Sequence, residues 1–175
     1  LDPVGDRTID EDSGQQTVGL AGISAGQGES QSLTVTASSS NTALIPDPTV
    51  TYTSPGATGS FSFAPVANAF GTATLTVTIN DGQAANNTFS RSFTVTVNAV
   101  NDPPTLGVIG DRIIDEDSGQ QTVGLSGISA GPGESQGLTV TASSSNTAVI
   151  PDPAVTYASP SATGSLAFTP VANAY

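Results

Sequence analysis

A chain of 175 residues without Cys, His, Met, Trp or Lys cannot build a disulfide, a thiolate zinc site, a Ser/His or Cys/His nucleophile pair or a Schiff-base lysine. Its net charge of -12, from 3 Arg against 15 Asp and Glu, repels nucleic acid and anionic lipid. Only 10% of residues are charged, yet Ser and Thr interleaved with Val, Ile, Leu and Phe make a strand-forming composition rather than a disordered one.

In chain order, the alternation of apolar and polar residues predicts strands near Arg7 to Ile9, Thr17 to Ile23 and Leu33 to Ala37, then a hairpin pair at Thr49 to Thr53 and Ser60 to Ala64. Two longer strands follow, Ala73 to Ile79 and Phe89 to Val97. In them Leu75, Val77, Ile79, Phe93, Val95 and Val97 face one way and threonines the other. Turn chemistry separates these runs at Ala25-Gly26-Gln27-Gly28, Ile45-Pro46-Asp47-Pro48, Ser54-Pro55-Gly56 and Asn80-Asp81-Gly82. No segment carries helical periodicity, so the expectation is all-β: seven short antiparallel strands in a two-sheet, immunoglobulin-like Greek-key sandwich.

Laid on itself at an offset of 105 residues, the chain pairs Leu1 to Phe70 with Leu106 to Tyr175, and 55 of those 70 positions are identical. A period of this length suits one sandwich per unit in a tandem array, not a solenoid rung. The domains are therefore 1–104 and an incomplete second copy, 105–175, joined at Asn101-Asp102-Pro103-Pro104, whose prolines end the last strand and stiffen the connection. No apolar run reaches the about 18 residues of a membrane span, and Leu1 is followed by neither a basic region nor an apolar signal core, so the chain reads as a piece of something longer. The second copy lacks the equivalents of the last two strands. Losing six buried apolar side chains at about 1.5 to 3 kcal/mol each forfeits roughly 9 to 18 kcal/mol, as much as a domain's whole stability. Alone it is not expected to stay folded; if ordered, its strands come from chain past Tyr175 or from a neighbouring molecule, which would make a fibre.

The acidic residues cluster: Asp10, Glu11 and Asp12, and again Asp115, Glu116 and Asp117, with Asn101 and Asp102 at the junction and Asp81 in a loop after a strand. Adjacent carboxylates repel unless a cation lies between them, and calcium, which takes six to eight oxygen ligands in loose geometry, suits them better than magnesium or zinc. The plainer reading is an acidic surface that keeps the protein in solution or reflects a saline habitat. Asp47 and Asp152, each between two prolines, read as turn residues.

Asn80-Asp81-Gly82 after one strand, and Phe93 to Val97 leading into Asn101-Asp102-Pro103-Pro104, resemble the end of a cadherin repeat, and Glu11-Asp12-Ser13-Gly14 is similar to the acidic turn near such a repeat's start. The likeness is greatest to the bacterial cadherin-like tandem repeats of large secreted and surface proteins. It implies calcium bound between successive repeats, with Glu11 a ligand at the Asn101-Asp102 junction, Glu116 its counterpart at the next and Asp81 a ligand at the preceding one. The chain departs from the family in having Ala99 where an acidic residue normally precedes the linker motif, and no Leu-Asp-Arg-Glu or Asp-x-Asp motif; Glu29 and Glu134 are candidate substitutes.

The function these features imply is a non-catalytic structural or adhesive spacer, extracellular or at the cell surface. Its partners would be neighbouring copies of the repeat, self-association into a fibre and a cell-surface or polysaccharide target, with no nucleic acid and no membrane insertion. A calcium-dependent carbohydrate-binding module is the alternative, weakened by the scarcity of aromatic platforms among 3 Tyr and 6 Phe. The same scarcity weighs against a glycosidase cleft. The threonine rows suggest an ice-binding face, but a twisted sandwich lacks a long flat one. Absence of Lys excludes Lys–Asn isopeptide cross-links, and Asn86-Asn87-Thr88 is a formal glycosylation acceptor.

Overall fold

A computed structural model describes all residues, Leu1 to Tyr175. It contains ten strands and no helix, hence no helix long and apolar enough to cross a membrane. The chain divides into two compact units, Leu1–Val100 and Asn101–Tyr175, four residues before the boundary expected from the repeat.

Unit 1 holds β1 (Arg7–Asp10), β2 (Gln16–Leu20), β3 (Thr34–Ser39), β4 (Thr49–Thr51), β5 (Gly59–Phe63), β6 (Gly71–Asn80) and β7 (Thr88–Asn98). These are the seven strands the alternation predicts, and they form two sheets, β1-β7-β6-β3 and β2-β5-β4. This is the strand order of an immunoglobulin-like sandwich. β4 and β5 pair as the expected antiparallel hairpin, and β3 lies beside β6 with Val35 opposite Ile79 and Ala37 opposite Val77.

One expectation is corrected. β1 runs parallel to β7, with Arg7 opposite Val95 and Asp10 opposite Asn98. The first and last strands of the unit share no connecting turn, so nothing in the local sequence could set their relative direction; both simply run towards the end of the unit where the chain leaves it. The Asp6 carboxylate fixes the entry to this pairing by accepting the Thr94 N–H at 2.7 Å.

The core lies between the two sheets. Leu75, Val77, Phe93, Val95 and Val97 from the long β6–β7 pair meet Val18, Leu20, Phe61 and Phe63 from β2 and β5, and the Phe61 and Phe93 rings touch across the gap with centroids 5.8 Å apart. The opposite face of β6 and β7 carries the hydroxyls. There Thr76 pairs with Ser92 at 2.9 Å and Thr78 with Ser90 at 2.8 Å, so these groups spend hydrogen-bonding capacity on one another.

Unit 2 keeps one sheet, β8-β10-β9, built from β8 (Gln121–Leu125), β9 (Ala154–Thr156) and β10 (Gly164–Phe168). It reproduces β2-β5-β4 register for register: Val123 faces Leu166 as Val18 faces Phe61. The stretches equivalent to β1 and β3, residues 112–115 and 139–144, form no strand, because in unit 1 both are held by hydrogen bonds to β7 and β6. Positions 105 residues on from β6 and β7 fall after Tyr175. Ile113, aligned with Thr8 of β1, is fully exposed.

Candidate metal-binding carboxylates

The acidic turn after β1 is tight. Ser13 N–H donates to the Asp10 carbonyl at 3.3 Å, and Asp12 and Gly14 take left-handed φ values of 60° and 72°. An Asp tolerates that conformation better than most residues and a Gly adopts it freely. This winding turns the three neighbouring carboxylates to three different partners. Asp10 Oδ1 accepts from the Asn98 side-chain amide at 3.1 Å, Asp12 Oδ1 accepts the Asn68 N–H at 3.1 Å, and Glu11 Oε1 accepts the Val100 N–H at 2.7 Å. No group of three carboxylates converges on one point. The repulsion expected within Asp10-Glu11-Asp12 is relieved by divergence instead.

Glu11 stands apart from its neighbours. It is 6% exposed, the one buried charged residue in the chain. Its backbone N–H donates to the Asn98 carbonyl at 2.9 Å, and its carboxylate accepts the N–H of Val100, two residues past the end of that strand. The second oxygen, Oε2, is shielded from solvent and has no donor. An ionised oxygen in such a position is costly to leave without a partner, and a cation is the partner a carboxylate oxygen suits best. Glu11 Oε2 is therefore one orphaned oxygen, and no group of three acidic side chains that could hold a metal ion surrounds it.

Asp81 lies at the opposite end of unit 1, just after β6. Its Oδ1 accepts the Gln83 N–H at 3.0 Å, shaping the loop, while its Oδ2 shares the Gln31 side-chain amide with Glu29. Glu29, Gln31, Asp81, Gln83 and Asn86 line an open polar groove.

In unit 2 the equivalents of Glu29 and Gln31 meet the linker residues. Glu134 Oε1 accepts the Asp102 N–H at 3.2 Å, and the Gln136 amide donates to Asn101 Oδ1, also at 3.2 Å. Gly131, at φ 125°, lets the chain pass so close that an added Cβ would lie 2.7 Å from the Asp102 Cβ. Asp102 Oδ2 is shielded and has no hydrogen-bond partner. Glu134, named from sequence only as a substitute ligand, is thus in contact with one of the expected ligands. Gln31 and Gln136 were not legible as site residues; only their position two residues after a repeated Glu marks them.

Asp115 and Glu116 are exposed, and no residue plays for Glu116 the part that Val100 plays for Glu11. Asp117 repeats the role of Asp12, accepting the Asn173 N–H at 3.0 Å. Asp47 and Asp152 accept the N–H groups of Ser39 and Ser144 at 2.8 and 2.7 Å, the clamping role a turn residue has.

No protein-family profile matches the chain, and no curated protein matches it. Among solved structures it is similar to the titin domains Z1Z2 in complex with telethonin, over 97% of this chain and 79% of that one, at 11% identity and a TM-score of 0.38. The immunoglobulin-like assignment rests on the strand order and register of unit 1.

Proposed function

We propose that the chain is a non-catalytic spacer segment of a large extracellular repeat protein, of the bacterial cadherin-like kind its motifs resemble, and that calcium stiffens it. The observation carrying this reading is the buried Glu11 carboxylate, with one oxygen accepting the N–H of Val100, the residue before Asn101 in sequence, and the other without a donor. The resemblance supplies the ligand set, Glu11 with Asn101 and Asp102, and calcium bound by it would couple the ordering of the β7 exit to metal binding. Near-identity of the two copies supports a spacer, because units that each recognised a different ligand would differ in their loops. The surface loops here repeat almost unchanged.

Calcium-dependent carbohydrate binding has less behind it. The polar groove around Glu29 and Asp81 offers carboxylates and amides but no aromatic ring on which a sugar could stack.

Calorimetric titration of the intact chain tests the proposal. Extracellular modules bind calcium at about 10⁻⁴ to 10⁻³ M, so heat should appear in that range, and the melting temperature should rise because only the folded state binds. Absence of both at millimolar calcium would retire the metal. Asp102→Ala should weaken the binding and leave unit 1 folded, since its charge lies outside the apolar core. A screen against polysaccharides and esters should give no turnover above buffer; turnover abolished by changing Asp10 or Asp12 would overturn the non-catalytic reading.

A further inference from the structure

We infer that the peptide bond between Asp102 and Pro103 is a self-cleavage site, at which the Asp102 carboxylate attacks its own main-chain carbonyl and frees Pro103 as a new N-terminus. The inference does not depend on calcium. It concerns one event per chain, not turnover.

The sequence holds four Asp-Pro bonds, after Asp2, Asp47, Asp102 and Asp152. In each, the carboxylate can close a small cyclic anhydride onto the carbonyl that joins Asp to Pro. The leaving group is a prolyl nitrogen, more basic than an ordinary amide nitrogen and easier to expel once it takes a proton.

The surroundings of Asp102 set it apart from the other three. Asp2, Asp47 and Asp152 are exposed, and Asp47 and Asp152 spend one carboxylate oxygen on the N–H groups of Ser39 and Ser144. Asp102 is partly buried, and its Oδ2 is shielded from solvent with no donor on it. A carboxylate oxygen relieved of water and of donors keeps its lone pairs for attack. The carbonyl it would attack is prepared as well. The Asn101 side-chain amide donates to the Asp102 carbonyl oxygen at 3.0 Å, and the Gln136 amide, donating to Asn101 Oδ1 at 3.2 Å, holds Asn101 in that orientation. A donor on the oxygen where negative charge develops stabilises the tetrahedral adduct.

The main chain around this carbonyl is also fixed. Glu134 accepts the Asp102 N–H, and the loop at Gly131 lies so close that an added Cβ would be 3.2 Å from the Asp102 carbonyl oxygen and 3.3 Å from its carbon. Pro103 keeps Asp102 out of the helical region. Holding nucleophile and carbonyl in one arrangement removes part of the entropic cost of bringing them together.

In the reaction an Asp102 carboxylate oxygen adds to the carbonyl carbon and pushes the C=O electron pair onto the oxygen that Asn101 contacts. Collapse of this adduct breaks the C–N bond. The Pro103 nitrogen departs with that pair and takes a proton from water. A cyclic anhydride is left on Asp102, and water opens it to the two carboxyl groups of a C-terminal aspartate. The net change consumes one water and alters no oxidation state. The break falls between β7 and β8, so every sheet keeps its strands.

The experiment incubates the intact 175-residue chain with a chelator, in mildly acidic buffer in which circular dichroism shows it folded, and in parallel in concentrated urea. Mass spectrometry follows the fragments that end at each of the four aspartates. In the folded chain, cleavage after Asp102 should be at least about tenfold faster than after Asp2, Asp47 or Asp152, and in urea the four rates should converge. Asn101→Ala should slow cleavage after Asp102 at least about tenfold in the folded chain and leave the rate in urea unchanged. Three results would overturn the inference: equal rates at the four bonds of the folded chain, which would mean ordinary acid lability; cleavage after Asp102 no faster folded than in urea; or no effect of Asn101→Ala.

Discussion

The two units share 55 of 70 aligned residues and differ in how those residues are buried. Phe61 is 1% exposed in unit 1, while Leu166 at the same position is only partly buried. Glu11 is buried and Glu116 exposed; the β3 sequence is a strand once and irregular once. What separates the copies is the β6–β7 pair: unit 1 contains it, and its counterpart positions lie after Tyr175. Strand formation at β1 and β3 is therefore a tertiary effect: their residues alternate suitably in both copies but pair only where a partner lies alongside.

The most disruptive change for this comparison is Val77→Asp. Val77 is 0% exposed, and a carboxylate there has no partner. The cost rivals the roughly 5 to 15 kcal/mol that holds a domain together, so unit 1 should lose its β1-β7-β6-β3 sheet. Amides of Thr34–Ser39 should then exchange as fast as those of residues 139–144, read by exchange mass spectrometry. Next in size is the pair Phe61→Ala and Leu166→Ala. The first removes a ring packed on Phe63 and Phe93 and should cost about 3 to 5 kcal/mol. The second truncates a half-covered side chain and should cost less than about 2 kcal/mol by unit-resolved urea titration.

Glu11→Ala strands the Val100 N–H and should destabilise unit 1 by about 1 to 3 kcal/mol, while Glu116→Ala should stay within about 0.5 kcal/mol. Smallest are Asp12→Ala and Asp117→Ala, each losing one hydrogen bond to a loop N–H. Here the copies should agree, at about 1 kcal/mol apiece, because Asn68 and Asn173 hold the same place in both. A large difference between these two would mean that the loops, too, depend on β6 and β7.

Much of the fold was readable because strand periodicity is strong here. Leu75, Val77, Ile79, Phe93, Val95 and Val97 declare one face by simple alternation, and proline and glycine punctuate every reversal. The parallel β1–β7 pairing was not readable, since long-range direction leaves no local trace. At the candidate site the residue types were visible but their sorting was not. Asp10, Glu11 and Asp12 look alike on paper; the left-handed turn at Asp12 and the path of the chain after Asn98 decide that only Glu11 is buried. Asp6 was overlooked, although the repeated Asp6-Arg7 and Asp111-Arg112 pairs mark it, because its partner, the Thr94 backbone, is 88 residues away.

The most direct test of the account measures calcium affinity calorimetrically for the intact chain, Glu11→Gln and Glu116→Gln. Glutamine keeps the acceptor for the Val100 N–H and removes only the charge, so the variant should fold. The account predicts binding at about 10⁻⁴ to 10⁻³ M that falls at least about tenfold with Glu11→Gln and is unchanged with Glu116→Gln. Equal effects of the two substitutions, or no effect of either, would contradict it.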